Sequence, residues 1–196
     1  MQKLSDKISS IPKGYFSLMD LRKISQLKDK SLKVVLSRLV KSGKVTKLGQ
    51  KFYTLDPQKI ELEKFAIQVY AQSYVSFESA LARQGILSQQ PYQLTLATRE
   101  RTKTIKTPQG ELVYHHLKGV LYWGFIQKEG ILMAESEKAF LDLAYLSLNG
   151  YAKFDPEEMS LNLLDRSKLK KYLAKFGSKK LKNLLLKNAL TAKLLR

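Results

Sequence analysis

The chain has 196 residues, and its 35 Lys and Arg against 17 Asp and Glu give a formal net charge of +18. Its 44% hydrophobic and 27% charged residues are typical of a globular protein and exclude a wholly disordered chain. The absence of cysteine excludes a disulfide scaffold, a thiol nucleophile and any Cys-ligated metal site, and two histidines are too few for a His-rich one. Neither a signal peptide nor an apolar run of membrane-spanning length is present, so a cytoplasmic protein without a membrane partner is expected.

The positive charge is concentrated at the two ends of the chain. Residues 1–57 carry 13 Lys and Arg against 4 Asp and Glu, and residues 165–196 carry 11 against 1. Residues 58–164, between them, carry 11 against 12. Because a strongly positive surface attracts polyanions, the two ends predict contacts with nucleic-acid phosphates. The alternative is that the lysines only coat solvated helix faces, and it weighs more for the C-terminal end.

The first part of the chain predicts two short helices. Leu4, Ile8 and Ile11 have the spacing of one helix face, and Pro12 to Gly14 end that helix. Ser17 followed by Asp20 has the spacing of a capping box, which predicts the start of a second helix.

A third helix carries the features of a recognition helix. Ser31 is its predicted N-cap, an apolar stripe with helical spacing runs over residues 32–40, and Gly43 ends it. The opposite face combines cations with small side chains, which suit phosphates, base edges and thymine methyl groups. The DNA contacts predicted on this helix are Lys30, Ser31, Lys33, Val34, Ser37, Arg38 and Lys41.

Residues 45–55 predict a basic hairpin, because Gly49-Gln50 lies between two β-prone arms. Lys47, Gln50 and Lys51, near its tip, complete the predicted DNA-binding set. Two helices, a basic helix and a basic hairpin follow one another as in a winged helix-turn-helix, which we predict for residues 1–57. A winged helix used for protein contacts is the alternative, and the charge favours DNA.

Asp56-Pro57 marks the predicted domain boundary, and residues 58–196 are expected to form a mixed α/β domain that ends in helices, so the whole chain is predicted to be α+β. The elements predicted there are helices at 58–72, 76–87 and 134–148, strands at 92–97, 104–107, 111–115, 121–125 and 130–133, and two final helices that meet at Gly177-Ser178. Cations off the apolar stripes of the final helices form a candidate second basic surface: Lys168, Lys170, Lys171, Lys175, Lys179, Lys180, Lys182 and Lys187.

The residues give little sign of catalysis. The adjacent His115–His116 pair points to opposite faces of a strand, so the two rings do not share a metal ion. Asp142 follows Lys138 by four residues, which predicts an ion pair along a helix. P-loop, nuclease and nucleotidyltransferase motifs are missing, so we predict a protein that is not an enzyme and has no cofactor or metal. A metal-dependent nuclease tethered to DNA stays open as an alternative, with three carboxylates as metal ligands: Glu135, Glu137 and Asp142.

Four stretches carry a family resemblance: YVSFESALARQGIL at 74–87, TPQGELVYHHL at 107–117, YWGF at 122–125 and AESEKAFLDLAYL at 134–146. Through them the chain resembles the AbiEi-type antitoxins of bacterial type IV toxin–antitoxin and abortive-infection systems. The most specific piece is Glu137-Lys138-Ala139 followed by Asp142. The chain departs from the family pattern at Ser136 and Tyr114, where Pro and Arg are commoner.

The resemblance implies a role in two parts. The N-terminal domain would bind inverted repeats in its own promoter and repress a two-gene operon. The C-terminal domain would counteract a nucleotidyltransferase toxin without forming a stable complex with it. Composition and pattern by themselves support only the DNA-binding part, so a plain winged-helix transcriptional regulator also stays open.

Overall fold

The computed structural model describes residues 4–9, 11, 14–25, 27–49 and 51–195, which form nine α-helices and nine β-strands. The fold is mixed α+β, as the sequence predicts. The chain divides into two compact units, Met1–Val69 with Thr104–Leu112 and Tyr70–Lys103 with Val113–Arg196. This division differs from the predicted boundary after Pro57, because residues 58–69 and a segment from the middle of the chain belong to the first unit. Among the described residues, no helix is both long and apolar enough to cross a bilayer.

The first unit begins with a small helical core on a three-stranded sheet. In chain order its elements are α1 (Leu4–Ser9), β1 (Tyr15–Ser17), α2 (Leu18–Ile24), α3 (Asp29–Lys41), β2 (Thr46–Lys47) and β3 (Phe52–Thr54). The sheet order is β1-β3-β2, and both pairings are antiparallel. Apolar side chains from each helix and from the sheet form one core: Ile8, Phe16, Leu21, Leu32, Leu36 and Val45.

Two of these helix boundaries were predicted correctly from local sequence patterns. The predicted capping box is present at the start of α2, where Ser17 and Asp20 exchange side-chain and backbone hydrogen bonds. Gly43 follows the end of α3 with φ +71° and donates its amide to the Val40 carbonyl oxygen at 3.1 Å, which confirms the predicted stop. Pro12, Lys13 and Gln50, which belong to two predicted turns, lie outside the described residues.

The prediction that Ser31 caps α3 is wrong. The N-cap is Lys28, whose carbonyl oxygen accepts the Leu32 amide at 3.0 Å, so the helix begins at Asp29. A carboxylate in the first turn interacts favourably with the helix dipole, and Asp29 supplies it. Ser31 is therefore an exposed residue inside the first turn.

The predicted helix at 58–72 is shorter and belongs to the first unit. A 3₁₀ turn at Pro57–Lys59 precedes α4 (Leu62–Val69). The buried ring of Phe65 lies edge-on to Tyr15 and Phe52, with ring centres 5.0 and 5.6 Å away. This aromatic contact ties α4 to the first sheet and explains why the unit extends past Pro57.

The remaining elements build a second sheet and its covering helices. They are β4 (Ser73–Val75), α5 (Phe77–Arg83), β5 (Gln93–Thr98), β6 (Lys103–Thr107), β7 (Gly110–His116), β8 (Phe125–Lys128), β9 (Ile131–Ala134), α6 (Ser136–Ser147), α7 (Arg166–Phe176), α8 (Lys179–Lys187) and α9 (Ala189–Leu195). The strand order is β6-β7-β5-β4-β9-β8. β4 pairs antiparallel with β5 and parallel with β9. The predicted hairpin around Pro108 is confirmed as β6–β7, and its residues 104–112 belong to the first unit.

Two predicted elements are wrong in this part of the chain. The aromatic stretch 121–125 is a 3₁₀ turn at Gly119–Leu121 followed by Gly124 at φ +73°, and the strand begins only at Phe125. The single last helix is two helices, because Asn188 leaves the helical conformation and its Oδ1 accepts the amides of Leu190 and Thr191. As a result Leu190 is exposed and Thr191 is buried.

Candidate nucleic-acid interface

Helix α3 separates an apolar face from a basic face. Leu32 and Leu36 are buried in the core of the first unit. All seven contact residues predicted on this helix are exposed: Lys30, Ser31, Lys33, Val34, Ser37, Arg38 and Lys41. Val34 is 50% exposed among these cations, which leaves an apolar group on the outer face. The predicted face therefore exists as one continuous surface of α3.

The cations of this face have no ion-pair partner among the residues that the structure describes. Asp29, the one acidic residue of α3, is paired with Arg22. Over residues 4–195, apart from the few not described, none of Lys30, Lys33, Arg38 and Lys41 takes part in an ion pair. Four cations within twelve residues thus face the solvent, where they are accessible to an anionic ligand.

The hairpin β2–β3 adds two more exposed cations. Lys47 and Lys51 are exposed, whereas Leu48 between them is buried and donates its amide to the Phe52 carbonyl oxygen at 2.9 Å. Gln50, also predicted to contact DNA, lies outside the described residues. Gly49 has φ +101°, and a Cβ there would lie 2.8 Å from Ile105 Cγ2. Sequence reasoning missed this contact, because Ile105 is far from the hairpin in the chain.

Only part of the candidate second basic surface is available to a ligand. Lys168, a predicted member of this surface, is half-buried, with its Nζ 2.7 Å from Glu135 Oε1 and 3.3 Å from Glu137 Oε2, so its charge is paired within the protein. Lys175 lies over the Trp123 ring, 4.2 Å from its centre. Lys175 is nevertheless exposed, as are the remaining predicted members: Lys170, Lys171, Lys179, Lys180, Lys182 and Lys187.

The carboxylates around Lys168 form a bonded cluster. Tyr172 donates its hydroxyl to Glu135, and Glu137 accepts the Asp165 amide at 2.9 Å. Partial burial raises the pKa of Glu135, but the hydrogen bonds from Lys168 and Tyr172 outweigh it and lower that pKa overall. Burial and the hydrogen bond to Glu135 raise the pKa of Tyr172 to about 12. The Lys168 ammonium group lies between Glu135 and Glu137 and is held there by an ion pair with each.

Asp142 belongs to a different and fully buried network. It forms the predicted ion pair with Lys138, and both side chains are completely inaccessible. Tyr74 and Ser76 donate their hydroxyls to Asp142 Oδ2 at 3.0 and 2.9 Å. Burial lowers the pKa of Lys138 and raises that of Asp142, while their mutual attraction opposes both shifts.

The metal-binding interpretation of Glu135, Glu137 and Asp142 is not supported by these contacts. The two glutamates share Lys168, whereas Asp142 accepts its hydrogen bonds from Lys138, Tyr74 and Ser76. In the described part of the chain, no three His, Asp or Glu side chains are grouped as a metal ion would need. The three carboxylates therefore do not form one ligand set.

The two histidines lie in different environments, as predicted for neighbours on a strand. His115 is half-buried, with its ring edge-on to Phe77 at 5.3 Å between centres, and burial lowers its pKa. His116 is exposed, and its Nδ1 lies 2.9 Å from the Glu100 carbonyl oxygen.

Comparison with known proteins adds no family to this description. No protein-family model matches the sequence, and no curated protein matches it significantly.

Proposed function

We propose that this protein is a DNA-binding repressor whose N-terminal unit is a winged helix-turn-helix. Helices α2 and α3 would form the helix-turn-helix, and the hairpin β2–β3 would form the wing. The order α1-β1-α2-α3-β2-β3 and the three-stranded sheet β1-β3-β2 support this assignment. In such domains the second helix of the pair enters the major groove of DNA.

One observation carries the proposal: α3 buries Leu32 and Leu36 while its four cations face solvent without ion-pair partners among the described residues. With α3 in the major groove, Lys33 and Arg38 would reach phosphates or guanine edges. Val34 would touch a thymine methyl group, which would give a preference for that base. The wing lysines Lys47 and Lys51 would contact the neighbouring backbone.

The second part of the proposal is an antitoxin role, and it rests on the resemblance to the AbiEi-type antitoxins. Residues from the first and fourth of the resembling stretches bond to each other, since Tyr74 and Ser76 both donate to Asp142. A network shared by these stretches supports their reading as one structural signature. The C-terminal unit would then counteract a nucleotidyltransferase toxin without stable binding, in the cytoplasm of a bacterium.

DNA binding is tested with the segment upstream of the protein's own gene. Fluorescence anisotropy over a range of salt concentrations should show tight binding to fragments that contain an inverted repeat and weaker binding to a scrambled fragment. The logarithm of the binding constant should fall linearly with the logarithm of salt concentration, because phosphate contacts release counterions. Equal binding of both fragments would contradict a repressor with a specific operator.

The antitoxin role needs a separate measurement. The full chain is co-expressed with the protein encoded by the neighbouring gene, and colony survival is compared with an empty vector. Protection by the full chain supports the antitoxin role. Specific DNA binding without protection would leave a plain winged-helix regulator.

A further inference from the structure

Residues 104–112 of the β6–β7 hairpin belong to the first unit, together with residues 1–69. At its tip, Gln109 Nε2 donates hydrogen bonds to the carbonyl oxygens of Pro57 at 2.6 Å and Ile60 at 3.1 Å. The side chain is thus held by the main chain directly after the proposed wing. Its Oε1 is buried and has no hydrogen-bond partner among the described residues, so the amide is bound through its donor end only.

The same segment packs against the wing turn. Ile105 is buried, and its Cγ2 lies 2.8 Å from where a Cβ would stand on Gly49. The Lys106 carbonyl oxygen is 3.1 Å from that position. A side chain at this position would crowd Ile105 and the Lys106 carbonyl oxygen, and the φ of +101° is one that residues other than glycine rarely adopt. The hairpin therefore fixes where the wing turn lies.

This contact brings a further cation beside the wing. The Lys106 side chain is 85% exposed, and its Nζ is 3.6 Å from Glu111 Oε1. An exposed pair at that distance is weak, so the ammonium group is available to a stronger anionic partner. The Lys106 main chain thus lies beside Gly49 at the turn of the hairpin that carries the exposed Lys47 and Lys51.

We propose that the 104–112 segment is part of the DNA-binding surface: it braces the wing at Gly49, and Lys106 contacts the phosphate backbone of duplex DNA beside it. This inference rests on the proposed DNA-binding function. It assigns the binding role to a segment that is separated in the chain from the first 57 residues. A fragment that ends at Pro57 lacks the brace, so it binds DNA more weakly than the full chain.

The test uses the full chain and duplex DNA from its own promoter, with binding measured by anisotropy as a function of salt. Lys106→Ala should lower the slope of log binding constant against log salt by about one unit, as expected for one lost phosphate contact. Lys128→Ala is the matched control, because Lys128 is an exposed lysine at the end of the β8–β9 hairpin in the other unit. If Lys106→Ala and Lys128→Ala give the same slope as the unmodified chain, the phosphate contact is disproved.

A second variant distinguishes the absence of a Lys106 contact from the absence of DNA binding through α3. Lys33→Ala with Arg38→Ala removes two cations of α3 and should weaken binding strongly. Unchanged binding in that double variant would overturn DNA binding through α3 itself. Loss of binding there, with no effect of Lys106→Ala, would overturn only the role of the hairpin.

The brace has its own measurement. Gln109→Glu keeps the shape of the side chain but turns a carboxylate toward two carbonyl oxygens, which releases the tip. In that background Lys106→Ala should no longer change the salt slope, because Lys106 has lost its fixed place beside the wing. Independent, additive effects of the two substitutions would overturn the brace.

Discussion

Helices α3 and α7 are similar in composition, but their cations have different surroundings. Both are rich in lysine and arginine, and both bury an apolar stripe. In α3 the cations face solvent, and its one acid is paired with Arg22. In α7, Lys168 is held between two glutamates and Lys175 lies over Trp123. Charge density along a helix therefore does not tell how much of that charge is available to a ligand.

The different surroundings of the cations in α3 and α7 arise from side chains that are remote in the sequence. Glu135 precedes Lys168 by 33 positions, and no periodicity within α7 shows that the two side chains meet. The same holds for Trp123, which lies on the loop before β8. The cations of α3 have no such neighbours among the described residues, so their count in the sequence matches their availability.

The largest expected effect is a loss of stability when the buried Lys138 loses its partner, compared with the loss when the exposed Arg22 does. Asp142→Asn leaves the Lys138 ammonium buried without its counter-charge, and removing one partner of a buried pair costs about 3–5 kcal/mol. Asp29→Asn removes the partner of Arg22 at the surface and should cost less than about 1 kcal/mol. Urea unfolding of both variants measures the two free energies. Similar small losses of unfolding free energy in both variants would show that the buried Lys138 does not depend on its ion pair with Asp142.

A second effect concerns DNA binding by the two basic helices. Lys33→Ala with Arg38→Ala should lower the salt slope by about two units, and stability should stay within about 0.5 kcal/mol. Lys171→Ala with Lys179→Ala removes two exposed cations of the candidate second surface. An equal loss of slope in this second pair would show that the C-terminal helices also contact DNA. The contrast between α3 and α7 would then be limited to Lys168 and Lys175.

The burial of His115 makes the stability of the fold depend on pH. Burial lowers the pKa of His115 below 6.5 in the folded chain, so the unfolded chain binds more protons just below that pH. The stability contributed by neutral His115 is therefore complete above pH 6.5 and is lost as the pH falls toward its folded pKa. His115→Gln should flatten the fall in unfolding free energy between pH 7 and pH 5. His116→Gln is the matched control, and an equal flattening in it would contradict the assignment.

The smallest expected effect is the contact of Lys175 with Trp123. An exposed cation–π contact contributes about 0.5–1 kcal/mol, so Lys175→Ala should lower the free energy of unfolding by that amount. Lys171→Ala, on the same helix and exposed, should leave the free energy unchanged. Thermal unfolding compares the two, and a loss of equal size in both would mean that Lys175 stabilises only as a helix residue.

The features that the sequence predicted well are those with local causes. The capping box of Ser17 and Asp20, the apolar stripe of α3, the stop at Gly43 and the β6–β7 hairpin all depend on residues a few positions apart. The exposed face of α3 follows from that stripe, because the side opposite buried leucines must face solvent.

The features that sequence reasoning missed have partners far away in the chain. Strands β1 and β4 have three residues each, which is too short for an alternating apolar pattern to reveal a strand. β1 forms because it pairs with β3, and β4 forms because it pairs with β5 and β9. The break in the last helix depends on one side chain, Asn188, that caps a new helix instead of continuing the old one. The contact between Gly49 and Ile105 joins two hairpins more than fifty residues apart.

The complete burial of Lys138 makes it a built-in reporter of unfolding. An amine-reactive label can reach this lysine only when α6 leaves the interior, whereas the lysines of α3 are exposed in the folded chain. The rate at which Lys138 is modified, read by peptide mass spectrometry, thus follows the population of open molecules when reclosing is fast. The same digest reports surface protection at Lys33 and Lys41, so one experiment can separate shielding by a bound partner from opening of the core.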